Sequence, residues 1–166
     1  MTDPATSGHP RVARIVVAST RASRGEYPDR TGPIISEWLT ARHFVVEEHR
    51  VVSDGPPVGS ALRAGVDAHA DVIITTGGTG LSPTDRTPEE TRGVLDLEVP
   101  GLAGAIRSAG LPKVQTAVLS RGLAGVAGST LIINLPGSPG GVRDGLSVLD
   151  GVLDHALDQI RGGDHK

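Results

Sequence analysis

Apolar residues along the chain fall into two alternating patterns. Short runs rich in β-branched residues predict buried strands, and apolar residues spaced three or four apart predict helices. The predicted strands are Val12–Ser19, Phe44–Val52, Asp71–Thr76, Val114–Leu119 and Ser129–Leu135. The predicted helices are Pro33–Arg42, Val58–His69, one that starts at Thr87, a short one after Pro100 and a long one after Ser138. This alternation predicts an α/β fold, with a mostly parallel sheet covered by helices on both faces.

Two helix starts have sequence signatures of their own. Thr87 followed by Pro88 and Glu90 is a capping-box pattern, which predicts Thr87 as the N-cap. Ser138 followed by Pro139 predicts a second capped start. The helix after Ser138 carries one continuous apolar stripe, formed by Val142, Leu146, Leu149, Leu153, Ala156, Leu157 and Ile160.

The chain is predicted to form one domain. Residues 1–10 are predicted to be a disordered N-terminal tail, residues 11–161 the domain, and residues 162–166 a C-terminal tail. No internal repeat and no change in composition marks a second domain.

Composition narrows the chemistry that the domain can perform. The 166 residues include no cysteine, which excludes a disulfide, a thiolate nucleophile and a Cys-bound metal cluster. A net charge of −3 and three aromatic residues argue against nucleic-acid binding. No apolar run reaches the length of a membrane span, so we expect a cytoplasmic protein without a membrane partner. The six histidines show no metal-binding spacing.

Hydroxyl side chains, glycines and a carboxylate follow most of the predicted strands. If the strands are parallel, their carboxyl ends meet at one edge of the sheet, and ligands of such sheets bind beyond that edge. The residues concerned are Ser19, Thr20, Asp54, Thr76, Gly77, Gly78, Thr79, Gly80, Ser120, Arg121, Pro136, Gly137 and Ser138. We therefore expect the functional site there.

The run from Gly77 to Gly80 can be interpreted in two ways. Closely spaced glycines let backbone amides approach an oxyanion, but they are also found in ordinary tight turns. The run matches neither the dinucleotide-binding GxGxxG pattern nor the P-loop pattern. Asp85 and Asp54 are candidate ligands of Mg²⁺, or ordinary turn residues.

Two arginines near these segments are further candidates for phosphate contact. Arg86 and Arg121 are each able to pair with a phosphate, or to remain solvated at the surface. Ser138 is expected to cap its helix while its loop presents amides to a ligand. Asp29 and Arg30, before Thr31, are interpreted as a helix-entry turn with a lesser role in binding.

Four segments together resemble the molybdenum-cofactor biosynthesis family, which includes molybdopterin adenylyltransferase, MoaB-type proteins and the G domain of gephyrin. They are Tyr27–Pro33, Thr75–Pro88 (TTGGTGLSPTDRTP), Leu119–Gly122 and Ser129–Pro139 (STLIINLPGSP). They occur in family order, and the resemblance extends from Val12 to Arg161.

The resemblance implies a three-layer α/β/α sandwich that forms a trimer or, as in some members, a hexamer. It implies Mg²⁺-dependent transfer of AMP from ATP to molybdopterin, with release of pyrophosphate. Asp54 and Asp85 match the two functional acids, which would also hold the metal. The residues from Thr76 to Gly80 match the substrate-binding loop. Ser19, Ser120, Pro136, Gly137 and Ser138 match positions that line the pterin or nucleotide pocket.

Three positions depart from the family's usual pattern. The residue before the second acid is commonly basic but is Thr84, and the residue after it is commonly apolar but is Arg86. Asp54 lies between Ser53 and Gly55, where the family usually has proline before the acid and another acid after it.

A non-catalytic pterin-binding or scaffold protein on the same fold is therefore the alternative. An isolated domain of the competence/damage-inducible type ranks third. With so few aromatic residues, we expect adenine and pterin to be held by backbone hydrogen bonds and aliphatic contacts.

Overall fold

Four adjacent parallel strands make up one side of a six-stranded sheet in the computed structural model, which describes residues 9–163. The strands are β1 (Val12–Ala18), β2 (Val45–Val52), β3 (Val72–Thr76), β4 (Leu97–Glu98), β5 (Ala124–Ala127) and β6 (Thr130–Leu135). Their order across the sheet is β2-β1-β3-β6-β5-β4, and β5 runs antiparallel to both of its neighbours. The predicted α/β class with a mostly parallel sheet is confirmed.

Helices cover both faces of this sheet. They are α1 (Thr20–Ser23), α2 (Gly32–Ala41), α3 (Pro56–Asp67), α4 (Thr87–Arg92), α5 (Pro100–Gly110), α6 (Pro139–Asp150) and α7 (Leu153–Ile160). A short 3₁₀ helix, Gln115–Leu119, lies between α5 and β5. Apolar residues of α2, α5, α6 and α7 pack on one face of the sheet, and those of α3 pack on the other. These are the three layers of the expected sandwich.

Aliphatic side chains fill both interfaces between the layers. Ile15, Ile74 and Ile133 belong to the cluster on the α6 face, and Ile73 and Ile132 belong to the cluster on the α3 face. All five are fully buried, and burial of each stabilises the fold by about 2 kcal/mol. Every residue of β3 and β6 is buried, as expected for central parallel strands that are covered by helices on both faces.

The predicted strand Val114–Leu119 is wrong. Residues 115–119 form the 3₁₀ helix, and Val114, Val118 and Leu119 are each about half exposed. The position beside β6 is taken by β5, so this β-branched segment has no strand to pair with. Ser120 and Arg121 therefore precede the antiparallel β5, and they reach the expected edge of the sheet at the start of a strand instead of its end.

Two details of the helix predictions also need correction. The N-cap of α4 is Arg86, and Thr87 is the first residue of the helix. No side chain caps this helix start by a hydrogen bond. The long helix after Ser138 is two helices, because the backbone leaves the helix at Gly151 and Val152. The cap at Ser138 is confirmed, since its hydroxyl accepts the Gly141 amide at 3.1 Å.

The predicted tails fall largely outside the described residues, which exclude 1–8 and 164–166. In the part of the chain that is described, no helix combines the length and the apolar character needed to cross a membrane.

Candidate functional site

A cavity opens where the strand order reverses. The chain passes from β1 to β2 on one side and then to β3 on the other, so the carboxyl ends of β1 and β3 border a crevice. The cavity has a volume of about 420 Å³, and we call it the β1–β3 cavity. Five of the predicted site residues line it: Ser19, Thr76, Gly77, Gly137 and Ser138.

A second cavity, of about 360 Å³, lies on the other side of the loop that follows β6. Its walls include Leu81, Ile106, Val114 and Leu119, and we call it the apolar cavity. Much of this wall belongs to the segment around the 3₁₀ helix that the sequence pattern mistakes for a strand. The predicted residues that line this cavity are Thr79, Gly80, Ser120, Pro136 and Ser138.

The glycine loop, residues 77–86, separates the two cavities. Gly77 and Gly78 have φ values of 91° and 67°, in the left-handed region that favours glycine. A Cβ on Gly137 would lie 3.3 Å from the Gly77 Cα, so the loop after β3 and the loop after β6 touch backbone to backbone. Thr76 ties them together from below, because its buried hydroxyl donates to the Pro136 carbonyl at 2.8 Å.

Arg121 stabilises the glycine loop by donating hydrogen bonds to the backbone carbonyl groups of that loop. The Arg121 guanidinium donates to the carbonyls of Gly80 and Asp85, each at 2.9 Å, and its amide donates to the Thr79 carbonyl at 2.8 Å. The same guanidinium pairs with Glu89, and this hydrogen bond is the main reason that the pKa of Glu89 is lowered. Arg121 is thus engaged with the protein and is not a free phosphate ligand.

Three consecutive amides of the same loop, those of Gly78, Thr79 and Gly80, have no partners among the described residues. Gly78, Thr79 and Gly80 donate no backbone hydrogen bond, and neither do Gly137 and Ser138 in the neighbouring loop. Unpaired amides at a glycine-rich turn suit an anion. From Gly78 to Gly80 the carbonyls accept hydrogen bonds and the amides are free, which favours the phosphate-binding interpretation of this stretch over an ordinary turn.

Asp54 and Asp85 lie at the outer side of the glycine loop, and neither lines the two cavities. The Asp54 Oδ1 accepts the amides of Gly55 at 2.8 Å and Arg86 at 3.0 Å, and the Asp85 Oδ2 accepts the Ser82 amide at 3.1 Å. Burial raises the pKa of Asp54; the two amides oppose this, and the negative charges of Asp85 and Glu89 add to it. The two carboxylates are therefore close enough to interact.

This pair could supply two of the ligands of a magnesium ion, and the remaining ligands would have to come from substrate and water. The Asp54 Oδ2 and the Asp85 Oδ1 accept no hydrogen bond from the described residues, so each carboxylate has an oxygen free for a metal. In the described part of the chain, no group of three or more His, Cys, Asp or Glu residues forms a metal cage. Two carboxylates match the way Mg²⁺ binds in proteins, because it takes most of its other ligands from substrate and water.

The segment from Tyr27 to Thr31 forms one wall of the β1–β3 cavity, a larger part of the site than the sequence pattern predicts. Asp29 accepts the amides of Thr31 and Gly32 at the start of α2, and its other oxygen lies 2.7 Å from the His49 ring. Arg30 lies 4.9 Å from the centre of the Tyr27 ring. The helix-entry interpretation is confirmed, and the turn also brings an aromatic ring and a cation to the cavity.

The predicted residues therefore meet at one edge but not in one pocket. They divide between two cavities, with Gly78 and the two acids at the outer side of the loop. Ser138 lines both cavities. Sequence reasoning missed the aliphatic wall of the second cavity, because the only signal there was a β-branched run that looks like a strand.

Comparisons with known proteins agree with this architecture. A family model described as "Probable molybdopterin binding domain" matches residues 14–155. The molybdopterin biosynthesis Mog protein from Mycobacterium ulcerans superposes with a TM-score of 0.90 and 63% sequence identity, covering 93% of this chain and 99% of that one.

Curated relatives are named for the same process. The molybdopterin adenylyltransferase of Helicobacter pylori strain J99 is 36% identical over 152 residues, or 89% of this chain and 86% of that protein. The molybdenum cofactor biosynthesis bifunctional protein of Synechococcus elongatus is 35% identical over 154 residues, which are 92% of this chain and 48% of that protein. The chain thus spans about half the length of this relative. The chain belongs to the molybdopterin-binding domain family of molybdenum-cofactor biosynthesis.

Proposed function

We propose that this protein is a molybdopterin adenylyltransferase, which transfers AMP from ATP to the terminal phosphate of molybdopterin and releases pyrophosphate. One observation carries the proposal: the glycine loop presents unpaired amides from Gly78 to Gly80 between two cavities, with two carboxylates at its outer side. Two cavities suit two substrates that must meet. The adenylyltransferase named among the relatives supports the same reaction.

The chemistry requires positioning more than covalent catalysis. An oxygen of the molybdopterin phosphate attacks the α-phosphorus of ATP, the bond from that phosphorus to the bridging oxygen breaks, and pyrophosphate leaves with the electron pair. The attacking oxygen is already an anion, so no strong general base is needed. The free amides of the glycine loop and of Gly137 and Ser138 would hold phosphate oxygens in line and stabilise charge that develops on them.

Asp54 and Asp85 would hold the Mg²⁺ ion. A bound Mg²⁺ supplies charge neutralisation to the triphosphate, which otherwise repels both the carboxylates and the attacking phosphate. The raised pKa of Asp54 fits this role, because a partly buried carboxylate without a cation is costly to ionise.

The test is an adenylylation assay with purified protein, molybdopterin, ATP and MgCl₂, in which pyrophosphate release and adenylyl-molybdopterin are both measured. Asp85→Asn should lower kcat by about 1,000-fold, because a metal-binding carboxylate contributes several kcal/mol to the transition state. Asp67→Asn, an exposed acid at the end of α3, is the matched control and should keep the rate of the original protein. An Asp85→Asn protein that folds and turns over at the original rate would overturn the assignment.

The same assay separates the alternative, a non-catalytic pterin-binding protein. Thr84 and Arg86, which depart from the family pattern, are the residues that favour it. Binding of molybdopterin without release of pyrophosphate would support the alternative. We further propose that the protein acts in the cytoplasm and that it forms a homotrimer or a hexamer. Light scattering would test the oligomeric state through the molar mass of the particle.

A further inference from the structure

The two arginines beside the glycine loop differ in what they contact. Arg121 uses its guanidinium on two carbonyls and Glu89. The guanidinium of Arg86 is exposed, and among residues 9–163 it makes no hydrogen bond or ion pair. Arg86 is therefore the uncommitted cation at this edge of the glycine loop.

The backbone of Arg86 is nevertheless fixed at the carboxylate pair. The Arg86 amide donates to the Asp54 Oδ1 at 3.0 Å. Arg86 directly follows Asp85 in the chain and is the N-cap of α4. The charge of Arg86 also contributes to the lowered pKa of Glu89, which lies in the first turn of α4, directly after this N-cap. A side chain that starts at a fixed point and ends free is able to reach a ligand bound at the two acids.

A second observation marks the same place as incomplete. The Thr87 hydroxyl is fully buried and has no hydrogen-bond partner in the described structure. A Cβ built on Gly78 would collide with both this hydroxyl and the Asp54 carboxylate, so the hydroxyl lies beside the acid. Buried polar groups without partners are rare in native proteins and are commonly completed by a ligand, water or an ion.

We propose that Arg86 binds the phosphate chain of the nucleoside triphosphate and determines the affinity for that substrate. The local charges favour such a cation, because Asp54 and Asp85 would repel a triphosphate beside the Mg²⁺ ion, and the charge of Arg121 is already paired with Glu89. A guanidinium pairs with two phosphate oxygens at once, in the geometry that an arginine fork provides. During transfer the same contact stabilises the pyrophosphate as it leaves with the electron pair. The identity of the ligand rests on the proposed function.

The test measures binding and turnover separately. The affinity for inorganic tripolyphosphate, with MgCl₂ present, is measured by calorimetry, and KM values for ATP and molybdopterin are measured in the adenylylation assay. Arg86→Ala should weaken tripolyphosphate binding and raise the KM for ATP by about 10-fold each, the size expected for a charge-assisted contact that is weakened by solvent exposure. The KM for molybdopterin should not change, and Arg86→Lys should restore part of the loss. The effect should also shrink in 0.5 M salt, because the contact is exposed.

The matched control is Arg92→Ala, which removes an exposed arginine from the same short helix and should leave both measurements unchanged. If Arg86→Ala binds tripolyphosphate as tightly as the original protein, or if the original protein does not bind it, the inference is wrong. If tripolyphosphate binding depends on Arg86 and no adenylylation occurs, the inference stands and the proposed function fails. If adenylylation occurs with an unchanged KM for ATP in Arg86→Ala, the proposed function stands and the inference fails.

Discussion

The loops after β3 and β6 present free amides at the same edge of the sheet, but they are held in place in different ways. The glycine loop is ten residues long and is fixed from outside, by Arg121 on its carbonyls and by the Gly77 amide bonded to the Leu135 carbonyl at 3.1 Å. The loop of Pro136–Ser138, which we call the serine turn, is three residues long. It is fixed mainly from within, by the Ser138 cap and the start of α6, and it has one remote hydrogen bond, from the Thr76 hydroxyl to the Pro136 carbonyl.

The difference shows that a turn with free amides can take its rigidity mainly from remote contacts or mainly from local ones. A local cap connects residues three apart, so a change in it costs little and stays near the helix start. A remote contact connects segments far apart in the chain, and its loss releases the whole loop. The two turns should therefore respond unequally to matched substitutions.

The largest effect is expected for Gly77→Ala. Gly77 has a φ of 91°, and a Cβ there would collide with the backbone carbonyl of Ala18. The strain and the displaced strand should lower the free energy of unfolding by about 3 kcal/mol, measured by urea denaturation. The matched change in α6 is Gly140→Ala, where a Cβ has open space, and it should cause no loss. Equal losses in both variants would break the distinction between the two turns.

A smaller effect is expected for Arg121→Met, which keeps much of the aliphatic stem but removes the guanidinium. Two carbonyls lose their donors and Glu89 loses its counter-ion, and both groups of the pair are about one-third exposed, so the loss should be about 2 kcal/mol at pH 7. Arg143→Met, an exposed arginine of α6, is the control and should change little.

The Arg121 variant also has a pH dependence of defined sign. The hydrogen bond from Arg121 lowers the pKa of Glu89 below its ordinary value of 4.5, so the pair stabilises the fold above pH 4.5 and loses this contribution as the pH falls through the lowered value. The stability difference between the original protein and Arg121→Met should shrink in acid. A difference that stays constant from pH 7 to acid would show that Glu89 is not the partner that matters.

The smallest effect is expected for Ser138→Ala. The Gly141 amide loses its side-chain acceptor, which should cost about 1 kcal/mol in thermal or urea unfolding. The glycine loop keeps its own contacts, so Ser138→Thr should restore the stability. A loss as large as that of Gly77→Ala would mean that the local cap at Ser138 matters as much as the remote contacts of the glycine loop.

The same division explains what could be predicted from the sequence. The Ser138 cap and the central strands were predictable, because a cap depends on residues three apart and a buried strand on its own run of aliphatic residues. The segment Val114–Leu119 was mispredicted, because β-branched residues form a strand only where a neighbouring strand is free to pair. The strands β4 and β5 have only two and four residues, too few to show a pattern.

Most residues of the candidate site could be identified from the sequence, but their arrangement in space could not. The two acids, the glycines and Ser138 were identified by motif, and all lie at the expected edge of the sheet. Their separation into two cavities depends on where α5 and the 3₁₀ helix pack, which no local pattern encodes. The different tasks of Arg86 and Arg121 likewise depend on which carbonyls and carboxylates lie within reach.

The break at Gly151 and Val152 has a consequence for how the molecule opens. It divides the C-terminal helical segment into two units, and only the first carries the serine turn at its start. The second packs through Leu153 and Leu157 into the core beneath the sheet. Fraying that begins near Ile160 therefore has a boundary at which to stop, since α6 does not need α7 to complete its own hydrogen-bond ladder. Amide hydrogens of α7 are able to exchange with solvent while the serine turn stays closed.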